Sequence, residues 1–245
     1  MSSTVRTASI GVLMVLALIL LEGRDIASSQ AGGASATAST AEISAGALRN
    51  GVYAESGNRL PLVKRDDLDD LGKTLYDQVD ADVKSGRALA GFQGPLGLAL
   101  YSPRVAAGDQ RKNNYLRFES PIGRRFYELA ILVTARELDQ QFEWTAHEPA
   151  AVRAGVEPAV IDVVKNRLAL TGLQPRDAAV IQLGREALGH GVVTSPTYAE
   201  ALRLFGPHDL FDVVSVMAYY SATAVLLTAF DQQLAPGQTP LLPTR

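Results

Sequence analysis

The chain has no cysteine among its 245 residues. That excludes disulfide staples, dithiol redox chemistry through sulfenic acid and disulfide states, thiolate metal sites and the lipid-bearing cysteine of a lipoprotein. Histidine is scarce, three in all. Neither His190 nor His208 stands at metal-ligand spacing from His147, and no H-E-x-x-H occurs, so no metal is expected. The glycine-rich stretch 86–97 holds neither G-x-x-x-x-G-K-[ST] nor G-x-G-x-x-G and reads as a loop, not a phosphate cradle. A formal charge of −3 draws neither nucleic acid nor an anionic membrane surface, which leaves a small molecule as the expected partner.

Strand-like alternation is also missing after Pro61. With 47% apolar and 20% charged residues, the expected fold is all-α, a single helical-bundle domain. The chain is expected to divide into 1–29, a signal peptide; 30–59, a flexible linker; 60–234, the helical domain, with bounds set by the resemblance described below; and 235–245, a C-terminal tail. The leader rests on Arg6, the uncharged run 7–21 and the small residues Ala27-Ser28-Ser29. The run is shorter than the roughly 20 residues a bilayer span needs, so cleavage and a periplasmic or secreted location are expected. Residues 30–44 are almost all Ala, Ser, Gly and Thr and cannot bury enough to fold.

Helical signals then follow one another. Acids at Asp66, Asp67, Asp69 and Asp70 precede Leu71, Leu75 and Val79, and Ser102-Pro103 opens a helix reaching about Tyr115. Later helices are expected over 158–170, 175–188 and 196–205. His190 and His208 lie at helix ends, which suits structural roles. The last helix has 18 uncharged residues between Asp212 and Asp231. Its Ser, Thr and Tyr content favours burial, by core or by a neighbouring copy, over a stable membrane span in the mature protein.

The most informative stretch is 120–155. Ser120-Pro121 reads as N-cap and N1, and Ile122, Phe126, Leu129, Ile131, Leu132 and Val133 mark a buried face that also carries Glu128. On the next helix Gln140, Glu143 and His147 fall three and four apart, on one stripe. By itself such a pair is a helix-surface contact worth roughly a few tenths of a kcal/mol.

Glu128-Leu129 on an apolar helix, then Glu143-Trp144-x-x-His147, then Ala154-Gly155-Val156 and a helix from Glu157, resembles the carboxymuconolactone decarboxylase and alkylhydroperoxidase D-like family over roughly 60–234. The peroxidase branch of that family carries a helix glutamate, a Cys-x-x-Cys pair and a histidine four residues beyond it. At those positions this chain has Glu128, Gln140, Glu143 and His147, so the resemblance points to the cysteine-free branch, whose namesake decarboxylates a lactone acid.

The resemblance implies an alkylhydroperoxidase D-like bundle, assembly as a trimer or hexamer, no cofactor, and a lyase or isomerase acting on a small carboxylated lactone or related compound. His147 would deliver a proton; Glu128 would orient it or itself exchange a proton; Glu143 would hold the imidazole tautomer. Gln140, Arg117, Arg124, Phe92 and Trp144 are the candidate substrate-binding residues: Gln140 for an oxyanion, the arginines for a carboxylate, Phe92 as an apolar wall, and Trp144 chiefly as packing. Two other readings stand beside this one. One is a secreted binding or structural oligomer on the same scaffold; the other is a peroxidase, which the missing cysteines disfavour.

Overall fold

The computed structural model describes residues 51–243, and every regular element among them is helical. The expected signal peptide and most of the expected linker lie outside the described residues. In chain order the helices are α1 (Asp70–Lys84), the single turn α2 (Pro95–Ala99), α3 (Pro103–Asn114), α4 (Gly123–Glu137), α5 (Gln141–Arg153), α6 (Pro158–Lys165), α7 (Pro175–Gly184) and α8 (Ser195–Ala229). π turns extend α3 through Tyr115–Glu119 and α7 through Arg185–His190.

Helix α4 is the axis of the fold, packed by α5, α6, α7 and α8. Tyr127, Leu129, Ala130, Ile131 and Leu132 are all fully buried, so the middle of the helix is covered on every side and not only along the expected face. Its start differs from the N-cap expectation. Ser120 does not cap a helix; its hydroxyl donates to Asp212 on α8 at 2.5 Å. Gly123, at φ 73°, begins the helix after a turn, because the left-handed backbone there stops regular α geometry from running back through Pro121.

Charge fixes the far end of the bundle. Arg125 grips Asp177 on α7 through two hydrogen bonds of 2.5 and 2.9 Å and also pairs with Glu157, the N-cap residue of α6. One guanidinium therefore joins three helices through forked geometry. Helix α6 ends at Lys165, short of the expected 170, where Arg167 takes a φ of 51°.

Helix α8 merges two expected helices. Gly206, at φ 70° and ψ 171°, breaks it before Pro207. The helix is long and apolar enough to cross a membrane by length and composition, and half of its most apolar window is buried in the protein. Phe211, Val214, Val225 and Leu226 remain exposed.

Two end segments are more tightly held than their composition implied. Within the stretch assigned to the linker, Tyr53, Ser56 and Asn58 are buried, and Asn58 Nδ2 donates to Gln232 Oε1 at 2.9 Å. Within the tail, Leu242 is buried and the Leu241 amide donates to Thr145 Oγ1 at 3.3 Å. Short polar side chains here satisfy loop backbone that hydropathy alone leaves unassigned.

Candidate active site

Glu128 lies on the most buried helix of the protein, with none of its surface exposed. A carboxylate in such a place needs partners, and it has them. Oε2 meets His147 Nδ1 at 2.8 Å, and Oε1 accepts from the Arg124 guanidinium one turn earlier. Burial would raise the Glu128 carboxyl; the charge and hydrogen bond of His147, then Arg124 and Arg117, outweigh it and hold the group below its ordinary value. Glu128 is therefore an anion near neutrality, and an anion at Oε2 requires the proton of the pair on Nδ1.

The other ring nitrogen of His147 faces Glu143, with Nε2 to Oε2 at 3.4 Å across one turn of α5. Glu143 is 3% exposed and, among the described residues, has no cationic neighbour apart from the imidazole when that is protonated. Burial raises its carboxyl, the imidazole opposes that, and the Glu128 charge adds to the rise, so the net direction is up. The two carboxylates are thus tuned apart, Glu128 toward the anion and Glu143 toward the acid. Pairs of titratable groups pushed in opposite directions mark acid–base sites.

His147 and Glu143 open on a cavity of about 540 Å³ walled by α1, the 87–91 loop, α2, α3 with its π turn, α5 and α8. The volume suits a small molecule. Arg117, carried by the π turn, also lines it; its Nε is buried and has no hydrogen-bond partner among the described residues. π turns inside α-helices recur at functional sites because they re-aim a side chain. Apolar walls come from Leu75, Leu100 and Phe142.

The other expected binding residues fall elsewhere. Arg124 is Glu128's partner and stacks over the Tyr127 ring at 5.0 Å, away from the cavity lining. Gln140 caps α5: its Oε1 accepts from the Phe142 amide and its Nε2 donates to Thr228 Oγ1 at 3.1 Å, so its amide is committed to packing against α8. Phe92 stacks on Tyr76 at 4.6 Å in the cluster of Leu75 and Leu100 and does not reach the cavity. Trp144 is fully buried, with Nε1 donating to Glu148 at 2.5 Å and Lys165 over its ring.

Three residues were not foreseen. Tyr220 and Asn113 line the cavity, and Tyr127 joins them from α4. The Tyr220 ring meets the His147 ring edge-on at 5.1 Å. A tyrosine inside the apolar run of α8 was the available signal. Nothing in the sequence singled out Asn113.

No protein-family model matches the chain, and no curated protein does. Among solved structures, the chain is similar to an alkylhydroperoxidase AhpD core from Ralstonia eutropha JMP134, described as an uncharacterized peroxidase-related protein. The TM-score is 0.60 at 13% identity, over 75% of this chain and 98% of that one. The protein thus has the alkylhydroperoxidase D-like fold, with a histidine held between two buried carboxylates at the edge of a cavity.

Proposed function

We propose that the protein is a cofactor-free acid–base enzyme of the lyase or isomerase kind, acting on a small carboxylated lactone or a related enolisable compound. One observation carries the reading: His147 Nε2 stands 3.4 Å from Glu143 Oε2 at the cavity surface, a pair that can pass a proton to a ligand, while Glu128 holds the far side of the ring. Loss of carbon dioxide from such a substrate leaves its electron pair on the lactone carbonyl as a dienolate. The Arg117 guanidinium supplies positive charge for the substrate's anionic oxygen, and the Nε2–Oε2 proton quenches the carbanion carbon. Solvent then returns a proton to the pair.

The peroxidase-related description of the Ralstonia protein does not transfer as dithiol chemistry, because this chain has no thiol. Export is part of the proposal and rests on Arg6, the apolar run 7–21 and the small residues after it; the intact mass of protein from the host's exported fraction tests it.

The test of the activity is a panel of small lactone carboxylic acids in deuterated water, followed by NMR for carbon dioxide loss and deuterium uptake. His147→Gln is expected to lose about 10²–10⁴-fold of any turnover while keeping its helical circular dichroism. A folded wild-type chain that turns over nothing in the panel would return the fold to a binding or structural role.

A further inference from the structure

Asn113 lines the cavity but has no part in the proton path. Its Oδ1 accepts the Tyr127 hydroxyl at 2.6 Å, and the Tyr127 oxygen lies 2.8 Å from the Tyr220 hydroxyl. A phenol has one proton to give. Tyr127 gives its proton to Asn113, so the proton between the two phenols belongs to Tyr220, and the chain runs Tyr220 to Tyr127 to Asn113. Both phenols keep their protons, since burial above all pushes each of them up.

This direction locks the carboxamide. Turning it over would reverse the chain, with Nδ2 donating to Tyr127 and Tyr127 to Tyr220, and would leave the buried Tyr220 proton with no acceptor among the described residues. Nδ2 therefore points away from Tyr127 with its two N–H groups, and it has no partner among the described residues. Tyr220, at the head of the chain, rests edge-on against His147, so one hydroxyl relay ties the amide to the imidazole ring.

We infer that Asn113 is a specificity-determining donor that receives the carbonyl oxygen of the ligand as it becomes an enolate. This deepens the acid–base reading and rests on it. The substrate class it selects is a conjugated carbonyl compound whose oxygen gains negative charge in the reaction. A hydrogen bond to an ionised oxygen is about twice as strong as one to a neutral carbonyl, so a locked amide favours the charged state over the ground state.

The probe is 4-nitrophenol, an enolate mimic whose phenolate absorbs apart from the phenol, titrated against the full chain across pH. Wild type is expected to bind the phenolate preferentially. Asn113→Leu should weaken phenolate binding about tenfold with little change for the neutral phenol, the effect of losing one hydrogen bond to a charged group. Asn113→Asp, which keeps the acceptor for Tyr127 and replaces the donor, should lose phenolate binding at least as far, and it carries the test if the leucine variant does not fold. Tyr127→Phe, which frees the amide but retains it, should fall between.

Phenolate binding unchanged in Asn113→Leu or Asn113→Asp overturns the assignment, as does a wild type that binds neither form. His147→Gln separates the two claims. Intact turnover in that variant, beside a phenolate preference lost at Asn113, sinks the acid–base reading and leaves the donor standing. The converse pattern sinks the donor alone.

Discussion

Replacing Glu128 by glutamine keeps the side-chain volume and one acceptor but removes a charge that the Arg124 guanidinium and His147 Nδ1–H share in the core. Removing one partner of a buried pair costs about 3–5 kcal/mol when the other is left uncompensated. Glutamine Oε1 still accepts from Arg124, which places the loss near 3 kcal/mol and the fall in Tm at about 6–12 °C for a domain of this size. The substitution also turns the ring round. With Oε1 on Arg124, the glutamine presents N–H to His147 Nδ1, which must accept, so the ring proton moves to Nε2 and meets Glu143. Long-range proton–nitrogen NMR reads this directly, since the chain has only three histidines to assign. The expected result is an Nδ1–H ring in wild type, an Nε2–H ring in Glu128→Gln and the stated drop in a thermal melt. A variant that melts with wild type and keeps the Nδ1–H tautomer would refute the account of Glu128 as the residue that sets the ring.

The two carboxylates give opposite pH slopes. Glu128, lowered, contributes stability present above its unfolded value and lost as pH falls through its folded one; Glu143, raised, contributes stability present below its unfolded value and lost as pH rises through its folded one. Urea unfolding should therefore show Glu143→Gln gaining on wild type between pH 5 and pH 8, and no change in that difference would contradict the raised carboxyl. At Gly184 a Cβ would stand 2.2 Å from Val133 Cγ1, so Gly184→Val should cost about 1–3 kcal/mol or more by overpacking α4 against α7, read as an earlier thermal midpoint. The exposed Phe211, Val214 and Val225 on α8 make a homo-oligomer the expected state in detergent-free light scattering; Val225→Lys should shift it toward smaller species, and a wild-type monomer would remove the argument.

The helical class was legible because α1 and α4 carry their apolar residues at helical spacing, and the Glu143–His147 pair because four residues is one turn. Glu128 and His147 are 19 residues apart, and only the motif resemblance, not periodicity, proposed their meeting. The cavity was far less legible. Its walls come from α1, α3 and α8, which meet only after packing, so Asn113 and Tyr220 had no shared pattern to find. Gln140 misled because it shares the stripe of Glu143 and His147 yet sits at N-cap, where the backbone claims its oxygen. The π turn at Tyr115–Glu119 left no periodic trace, and it is what carries Arg117 to the cavity.

The wall of the cavity built by α1 belongs to a different cluster from its floor. Leu75, Leu100 and Ala106 form a small apolar group with Tyr76 and Phe92, separate from the large cluster around α4, and α1 packs mainly on α3. Local opening free energy scales with the apolar contacts a segment would lose. Amide hydrogens of α1 should therefore exchange with solvent well before those of α4, which would set a slow-exchanging floor that carries His147 and Glu143 against a faster-exchanging wall.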